Sequence, residues 1–366
     1  MIRGKLLGTG LAAVAMIATT AAWTPGANYG IHVGSPDVKT LGQMAFGPGN
    51  VLFIGDNDGA QILAVEVNDA AKAAGAVNVD GLDGKIAKML GVPVADVRIN
   101  DMAVHPASKN VYVTVTRGSG ASATSVLLKV TRDAARPIAE VPLTSVKFST
   151  ASISNAPADD PNARRNARSS TITDIEYADG AVWVAGLSNE EFASSFRRFS
   201  FPFDAKMQTT TVEIYHVSHK ASETRSPVTS FTVRHINGAP YIVAGYTCTP
   251  IVAFSIADLK PGQHVVGRTV AELGAGNTPT DIVSFTRDGK DVIMVVNNRR
   301  PLMLISAVDV AGGKALTVPD VEGIARTTLD QPSGITQMSD LDATHVVVIQ
   351  KGANGLDLKS IAKSSL

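Results

Sequence analysis

The segments LGQMAFGPGNVLFIGD (41–56) and INDMAVHPASKNVYVTV (99–115) each consist of two short apolar stretches joined by a tight turn. Four later segments have the same form: ITDIEYADGAVWVAGL (172–187), VTSFTVRHINGAPYIVAGY (228–246), DIVSFTRDGKDVIMVVN (281–297) and ITQMSDLDATHVVVIQ (335–350). Their turns contain Gly, Pro, Asp or Asn, the residues that tight hairpins need. The sequence therefore predicts six antiparallel β-hairpins.

A third apolar strand follows every hairpin, and a fourth strand of lower hydrophobicity follows the first five. Examples of this fourth strand are TTTVEIYHV (209–217) and VVGRTVAEL (265–273). The first strands of the six units begin near residues 41, 100, 172, 228, 281 and 335. Four short antiparallel strands repeated at this spacing are typical of β-propeller blades. We therefore predict an all-β, six-bladed β-propeller made of four-stranded antiparallel blades.

The two ends of the repeat suggest how the ring closes. The sixth unit ends after its third strand, and NYGIHVG (28–34) is a strand-like piece before the first unit. We expect this N-terminal strand to complete the last blade, since closure would remove two free sheet edges.

Three stretches interrupt the repeat without dividing it, so residues 23–366 are predicted to form one domain. Residues 82–92 have apolar side chains at helical spacing and predict a helix. Residues 154–170 are polar and rich in Pro and Asn, and residues 190–206 contain five Phe. Both are predicted to be loop insertions.

The N-terminal stretch MIRGKLLGTGLAAVAMIATTAA (1–22) has the three parts of a secretory signal peptide. Arg3 and Lys5 precede a short apolar core, and small residues lie before Trp23. An uncleaved membrane anchor is the alternative, but the core is short for a membrane span. We expect export to the periplasm or secretion, with no membrane span after the signal is removed.

Composition excludes several classes of protein. The 366 residues include 33 Lys+Arg and 33 Asp+Glu, a balance that argues against a nucleic-acid-binding protein. The single Cys rules out an intramolecular disulfide framework and a Cys-rich zinc cluster. A small molecule or a periplasmic protein is the expected partner.

The most unusual stretch is VEIYHVSHKASETRSP (212–227), which connects the third unit to the fourth. His216, His219 and Glu223 lie in it, and Cys248 follows the second strand of the next unit. Imidazole, carboxylate and thiolate groups are ligands for copper, zinc or iron, so these four residues are a candidate metal site. The alternatives are a metal-free site, including a Cys–His nucleophile pair, and purely structural roles.

Polar residues also gather where strands enter or leave the expected central channel. Asn100, Asp101, Asp174, Asp281 and Asn297 are candidate ligand-binding residues there. Aspartates at strand starts also cap backbone groups of neighbouring segments, which is the structural alternative.

Basic residues on the same face are candidates for binding an anion. Arg225 and Arg299 are the predicted ligand-binding members, and Arg197, Arg198 and Arg300 belong to the same group. Solvated charges without a ligand would give the same pattern.

The sequences of its repeats, such as MAFGPGNVLFIGD and MAVHPASKNVYVTV, resemble those of secreted six-bladed propellers of the NHL-repeat, YVTN-type and gluconolactonase-like groups. The resemblance implies that ligands bind on the face formed by the loops between blades. Gluconolactonase-like enzymes hold a divalent cation such as calcium at the channel. Their ligands would correspond to Asn100, Asp174 or Asp281, and Asn297.

Three functions follow from these patterns. The first is an exported metalloprotein, such as an oxidoreductase, with its ion at the His, Glu and Cys residues. The second is a non-enzymatic propeller that binds a ligand or protein without any cofactor. The third is a cation-dependent lactonase or hydrolase at the channel carboxylates. Fold alone does not distinguish among them.

Overall fold

The computed structural model describes residues 29–69, 75–204, 206–247, 249–318 and 322–366. The predicted signal peptide (1–22) and Cys248 therefore lie outside the described residues. Most of the regular structure is β-strand, arranged in six antiparallel sheets around a central channel. The protein is a six-bladed β-propeller, as its hairpins predict.

We number the blades in the order in which their innermost strands occur in the chain. Blade 1 contains β1 (His32–Gly34), β2 (Met44–Phe46), β3 (Val51–Asp56), β4 (Gln61–Glu66) and β9 (Val146–Ser152). Blade 2 contains β5 (Val97–Val104), β6 (Val111–Arg117), β7 (Thr124–Val130) and β8 (Ile138–Glu140). Blade 3 contains β10 (Asp174–Ala178), β11 (Ala181–Leu187), β12 (Ser194–Ser200), β13 (Met207–His216) and β14 (Ala221–Glu223).

The remaining blades follow directly along the chain. Blade 4 contains β15 (Val228–Ile236), β16 (Ala239–Tyr246), β17 (Pro250–Ser255) and β19 (Arg268–Glu272), while β18 (His264–Val266) pairs with β13. Blade 5 contains β20 (Pro279–Arg287), β21 (Lys290–Asn297), β22 (Leu302–Ser306) and β23 (Arg326–Leu329). Blade 6 contains β24 (Ile335–Asp340), β25 (His345–Gly352) and β26 (Gly355–Ala362). Among the described residues the α-helices are α1 (Leu82–Leu90) and α2 (Ala307–Gly312).

The order of the blades in the ring differs from their order in the chain. Strand β2 contacts both β5 and β10, and β24 contacts β5, so blade 1 lies between blades 2 and 3. The chain leaves blade 1 after β4, builds blade 2, and returns as β9 to pair with β4. The ring order is therefore 2, 1, 3, 4, 5, 6.

The predicted closure by the N-terminal strand is wrong. Strand β1 pairs with β9 at the outer edge of blade 1, with His32 opposite Phe148. The outer edge of blade 6 is instead covered by residues 77–79. Val79 forms a bridge with Leu358, and the Ser360 amide donates to Asn78 Oδ1 over 2.9 Å. This segment occupies the position that the N-terminal strand was expected to take.

The three predicted insertions have different outcomes. Residues 154–170 lie outside the strands and end in a 3-10 turn over Ala167–Ser170. Helix α1 packs against β26, and its buried residues Leu82 and Ile86 share a core cluster with Val347 and Leu358. Residues 190–206 do not form a loop insertion, because Ser194–Ser200 are the third strand of blade 3. Phe196 of this strand packs in a cluster with Phe231 and Phe254 of blade 4, and Phe199 packs in a cluster with Phe53 of blade 1. No helix in the described part of the chain is both long and apolar enough to cross a membrane.

Candidate functional site

The connection from blade 3 to blade 4 folds back on itself and brings three of the four predicted metal ligands together. Strand β13 ends at His216, and a 3-10 turn over Val217–His219 follows. Lys220 takes a left-handed conformation (φ 56°), and β14 then runs antiparallel to β13, with Ile214 opposite Glu223. Residues three apart on a strand would face opposite ways, but the turn brings His219 to the side of His216.

The three side chains meet at one carboxylate oxygen. The Nδ1 atom of His216 lies 3.0 Å from Glu223 Oε1, and the Nδ1 atom of His219 lies 2.6 Å from the same oxygen. The two imidazole ring centroids are 3.8 Å apart. His216 is fully buried, whereas the side chain of His219 is 49% exposed. The cluster therefore has a buried side and a side open to solvent.

Neighbouring polar groups hold the cluster in place. Ser226 Oγ donates to Glu223 Oε2, and Thr249 Oγ1 lies 3.4 Å from His216 Nε2. Burial opposes ionisation of Glu223, but hydrogen bonds with Ser226, His219 and His216 outweigh it and lower its pKa. Glu223 is thus a carboxylate at neutral pH, which is the form that binds metals.

A second carboxylate supports the buried side of the cluster. Glu272 Oε1 accepts the backbone N–H of Val217 at 3.0 Å, and its Oε2 accepts the hydroxyls of Ser218 and Thr249. Thr249, the residue that follows Cys248 in the sequence, reaches the site. The predicted role of Cys248 as a ligand stays a prediction.

The donor set and its spacing fit a transition-metal ion. One ligand atom from each of His216, His219 and Glu223 can be chosen so that all lie within 4.8 Å of one another. Ligands held tetrahedrally at about 2.1 Å from an ion are themselves about 3.4 Å apart. Small side-chain movements would therefore be enough to coordinate an ion.

The predicted channel residues form a different, regular arrangement. Asp101 Oδ2 accepts the Met44 N–H at 2.6 Å, Asp174 Oδ2 the Phe231 N–H at 2.7 Å, and Asp281 Oδ2 the Met338 N–H at 2.7 Å. Each carboxylate therefore binds the innermost strand of the next blade, joining blades 2 and 1, 3 and 4, and 5 and 6. The equivalent position in the alternate blades holds Gln43, Ser230 or Gln337.

These aspartates are hard to ionise. Burial raises the pKa of Asp101 well above its ordinary value, and the charges of Asp174 and Asp281 raise it further. Burial likewise raises the pKa of Asp174 to about 7 and that of Asp281 to about 6. Glu176, which sequence reasoning missed, lines the same cavity of about 380 Å³, and burial raises its pKa to about 8. Its position two residues after Asp174 on one strand was the available signal.

The other predicted ligand-binding residues are spread over the rim. Asn100 Nδ2 donates to the carbonyl of Leu41 at 2.9 Å, and so ties blade 2 to blade 1. Arg225 lines a cavity beside the loop after β11. Asn297 and Arg299 line a cleft between blades 5 and 6. They do not converge on the histidine cluster.

Arg197 is not available to an external anion. Its side chain is fully buried and donates to Asn155 Oδ1 and to the carbonyls of Thr171 and Leu187 at 2.6–2.8 Å. Burial lowers the pKa of its guanidinium to about 10, opposed by the charge of Glu190. It fixes the segment that leads into β10.

No protein-family model matches the sequence, and no curated protein matches it. The fold is similar to the PQQ-bound aldose sugar dehydrogenase of Streptomyces coelicolor, with 10% identity over 90% of this chain and 96% of that one (TM-score 0.33). It is also similar to the apo soluble aldose sugar dehydrogenase of Escherichia coli, with 9% identity over 91% and 99% (TM-score 0.34). A third similar structure is the Bacillus subtilis arabinanase Arb43A, with 14% identity over 72% and 93% (TM-score 0.37). At such low identities and scores these similarities carry no argument about activity.

Proposed function

We propose that this propeller is a metalloprotein that holds a transition-metal ion at His216, His219 and Glu223. The observation that carries the proposal is the convergence of three donor atoms within 4.8 Å at one blade junction. Two imidazoles with one carboxylate favour zinc, copper or iron over calcium or magnesium, which prefer oxygen ligands.

The surroundings of the cluster support a site that does chemistry rather than one that only stabilises the fold. The solvent-exposed side of His219 would leave a coordination position open to a small molecule, as catalytic metal sites require. A copper or iron ion there would give an oxidoreductase, and Cys248 would add a thiolate ligand. A zinc ion would instead polarise a bound water or carbonyl, because zinc has no redox chemistry.

The hydrogen bonds around the ligands would act as a supporting shell. Thr249 faces Nε2 of His216, and Glu272 fixes both Thr249 and the backbone of Val217. In metal sites such outer groups orient the imidazoles and sustain affinity. A calcium-dependent lactonase at the channel is less well supported, because its carboxylates already accept backbone N–H groups of neighbouring blades.

Metal titration of the purified protein tests the proposal. We expect the wild type to bind one equivalent of zinc or copper(II) in isothermal titration calorimetry. His216→Ala and the near-isosteric Glu223→Gln should each weaken binding at least about a hundredfold, and Thr249→Val about tenfold. His235→Ala is the matched control, since that histidine is exposed and pairs only with Asp179 among described residues.

The result separates the remaining hypotheses. A wild type that binds no ion, with or without reconstitution, would contradict the metal site and favour a cofactor-free binding propeller. Binding that survives both ligand substitutions would place the ion elsewhere. Circular dichroism of each variant distinguishes loss of ligands from loss of fold.

We also propose that the protein is exported to the periplasm or secreted, from the three-part pattern of residues 1–22. N-terminal sequencing of protein expressed with its full N-terminus should give a chain that starts at Trp23. A chain found only in the cytoplasm with Met1 retained would contradict export.

A further inference from the structure

A cleft between blades 5 and 6 lies on the face that carries the loops between blades. Its volume is about 300 Å³, and its walls come from the loop after β21 and from residues 330–335. Two adjacent arginines, Arg299 and Arg300, line one side. The cleft is two blades away from the histidine cluster, so it is a separate site.

The loop that carries the two arginines is held in one shape by amide side chains. Asn277 Nδ2 donates to Asn297 Oδ1 at 2.7 Å, and Asn277 Oδ1 accepts the backbone N–H of Arg299 at 3.3 Å. Asn297 Nδ2 donates to the carbonyl of Pro301 at 3.1 Å. Asn277 is fully buried, and Asn297 nearly so. The backbone below the guanidinium groups is therefore fixed before any ligand arrives.

Neither guanidinium group has a hydrogen-bonding or acidic partner among the described residues, unlike Arg197, Arg234 and Arg326. The Arg300 guanidinium lies against Gly274, where a Cβ would be only 3.1 Å from its Nε. Gly274 has a φ of +100°, so a glycine serves both the turn and the close approach.

The residues that line the cleft indicate the chemical class of its ligand. The residues that line the cleft include two arginines and one aspartate, Asp330, and apolar residues such as Val296, Leu302 and Ile335 form other parts of the wall. Guanidinium groups bind carboxylates and phosphates through paired hydrogen bonds. We propose that this cleft binds a small molecule through a carboxylate or phosphate group held by Arg299 and Arg300.

The chain supplies a matched control for this proposal. Arg164 and Arg165 are also adjacent, exposed and without a partner among the described residues, but they lie in the 154–170 segment and line none of the described cavities. Exchanging either pair for glutamine removes the same charge. If anions bound only through general electrostatic attraction, both double substitutions would weaken anion binding equally.

Calorimetric titration at low ionic strength, with inorganic phosphate and with succinate as separate probes, tests the proposal. We expect saturable binding of at least one probe at one equivalent. The double variant Arg299→Gln/Arg300→Gln should weaken it at least about tenfold, and Arg164→Gln/Arg165→Gln should leave it unchanged. The probe that binds more tightly identifies the preferred anionic group.

Three outcomes would overturn the proposal: no saturable binding of either probe, equal weakening by both double variants, or binding that survives loss of Arg299 and Arg300. His216→Ala serves as a further check, because it should not affect probe binding. The anion site and the metal site can therefore fail independently.

Discussion

Replacing Arg197 with methionine is expected to lower the free energy of unfolding by about 3–5 kcal/mol, because three buried acceptors would lose their donor at about 1–3 kcal/mol each. The guanidinium is fully buried, and all of its described hydrogen bonds go to neutral acceptors: the Asn155 side chain and the carbonyls of Thr171 and Leu187. Methionine would fill much of the space but leave these acceptors without donors in the interior. Buried polar groups without partners are costly.

The adjacent residue provides the control. Arg198 points to the other face of β12, where it lies over the Trp183 ring and donates to Gln208 Oε1 at 3.3 Å. Because it is partly exposed, Arg198→Met should cost about 1 kcal/mol or less. Urea denaturation of both variants measures the difference. Equal losses would show that Arg197 does not fix the loop before β10.

Replacing Asp174 with asparagine is expected to stabilise the protein by about 1–3 kcal/mol at pH 8 and to have little effect near pH 4. Burial raises the pKa of Asp174 to about 7, against an ordinary value of 3.8. A pKa shift of this size corresponds to a stability difference of about 4 kcal/mol between the two protonation states. Partial exposure of the Asp174 side chain to the channel cavity reduces this difference.

The direction of the effect follows from proton linkage. Between pH 4 and 7 the folded protein keeps a proton on Asp174 that the unfolded chain has already lost. The stability contributed by this group is therefore complete below pH 4 and is lost as pH rises through about 7. Asparagine, like the protonated carboxyl group, is neutral and can still accept the Phe231 N–H.

Thermal denaturation from pH 4 to pH 8 measures how the folding stability changes with pH. The wild type should lose stability across that range, and Asp174→Asn should lose less. Asp281→Asn should behave similarly with a smaller effect, because its pKa is raised only to about 6. Asp288→Asn in an exposed turn is the control. Parallel pH profiles for Asp174→Asn and the wild type would contradict the raised pKa.

The sequence is sufficient to predict the blades but not their order. Each hairpin is recognisable in the sequence from two apolar strands and the turn between them. The strands are apolar because their side chains are buried against the neighbouring blades. The outer strand of a sheet can come from a distant part of the chain, as β9 does in blade 1. The local sequence pattern does not show such long-range pairing. The long interval between the second and third units contains β9, the strand that returns to blade 1, and was the available hint.

The candidate site was predictable to a similar degree. His216, His219 and Glu223 stand out by residue type, and the turn at Val217–His219 explains why they meet. Thr249 and Glu272 lie 26 or more residues from Glu223 and come from other strands, so spacing gives no sign of them. The channel aspartates were predicted to bind a ligand or to cap backbone groups. In the structure they accept hydrogen bonds from backbone N–H groups of the neighbouring blades.

Anomalous diffraction from a crystal loaded with zinc or copper tests the proposed metal site at His216, His219 and Glu223. We expect one peak within about 2.0–2.3 Å of ligand atoms from these three residues. A peak among Asp101, Asp174 and Asp281, or a loaded crystal with no peak at the blade 3–4 junction, would contradict it.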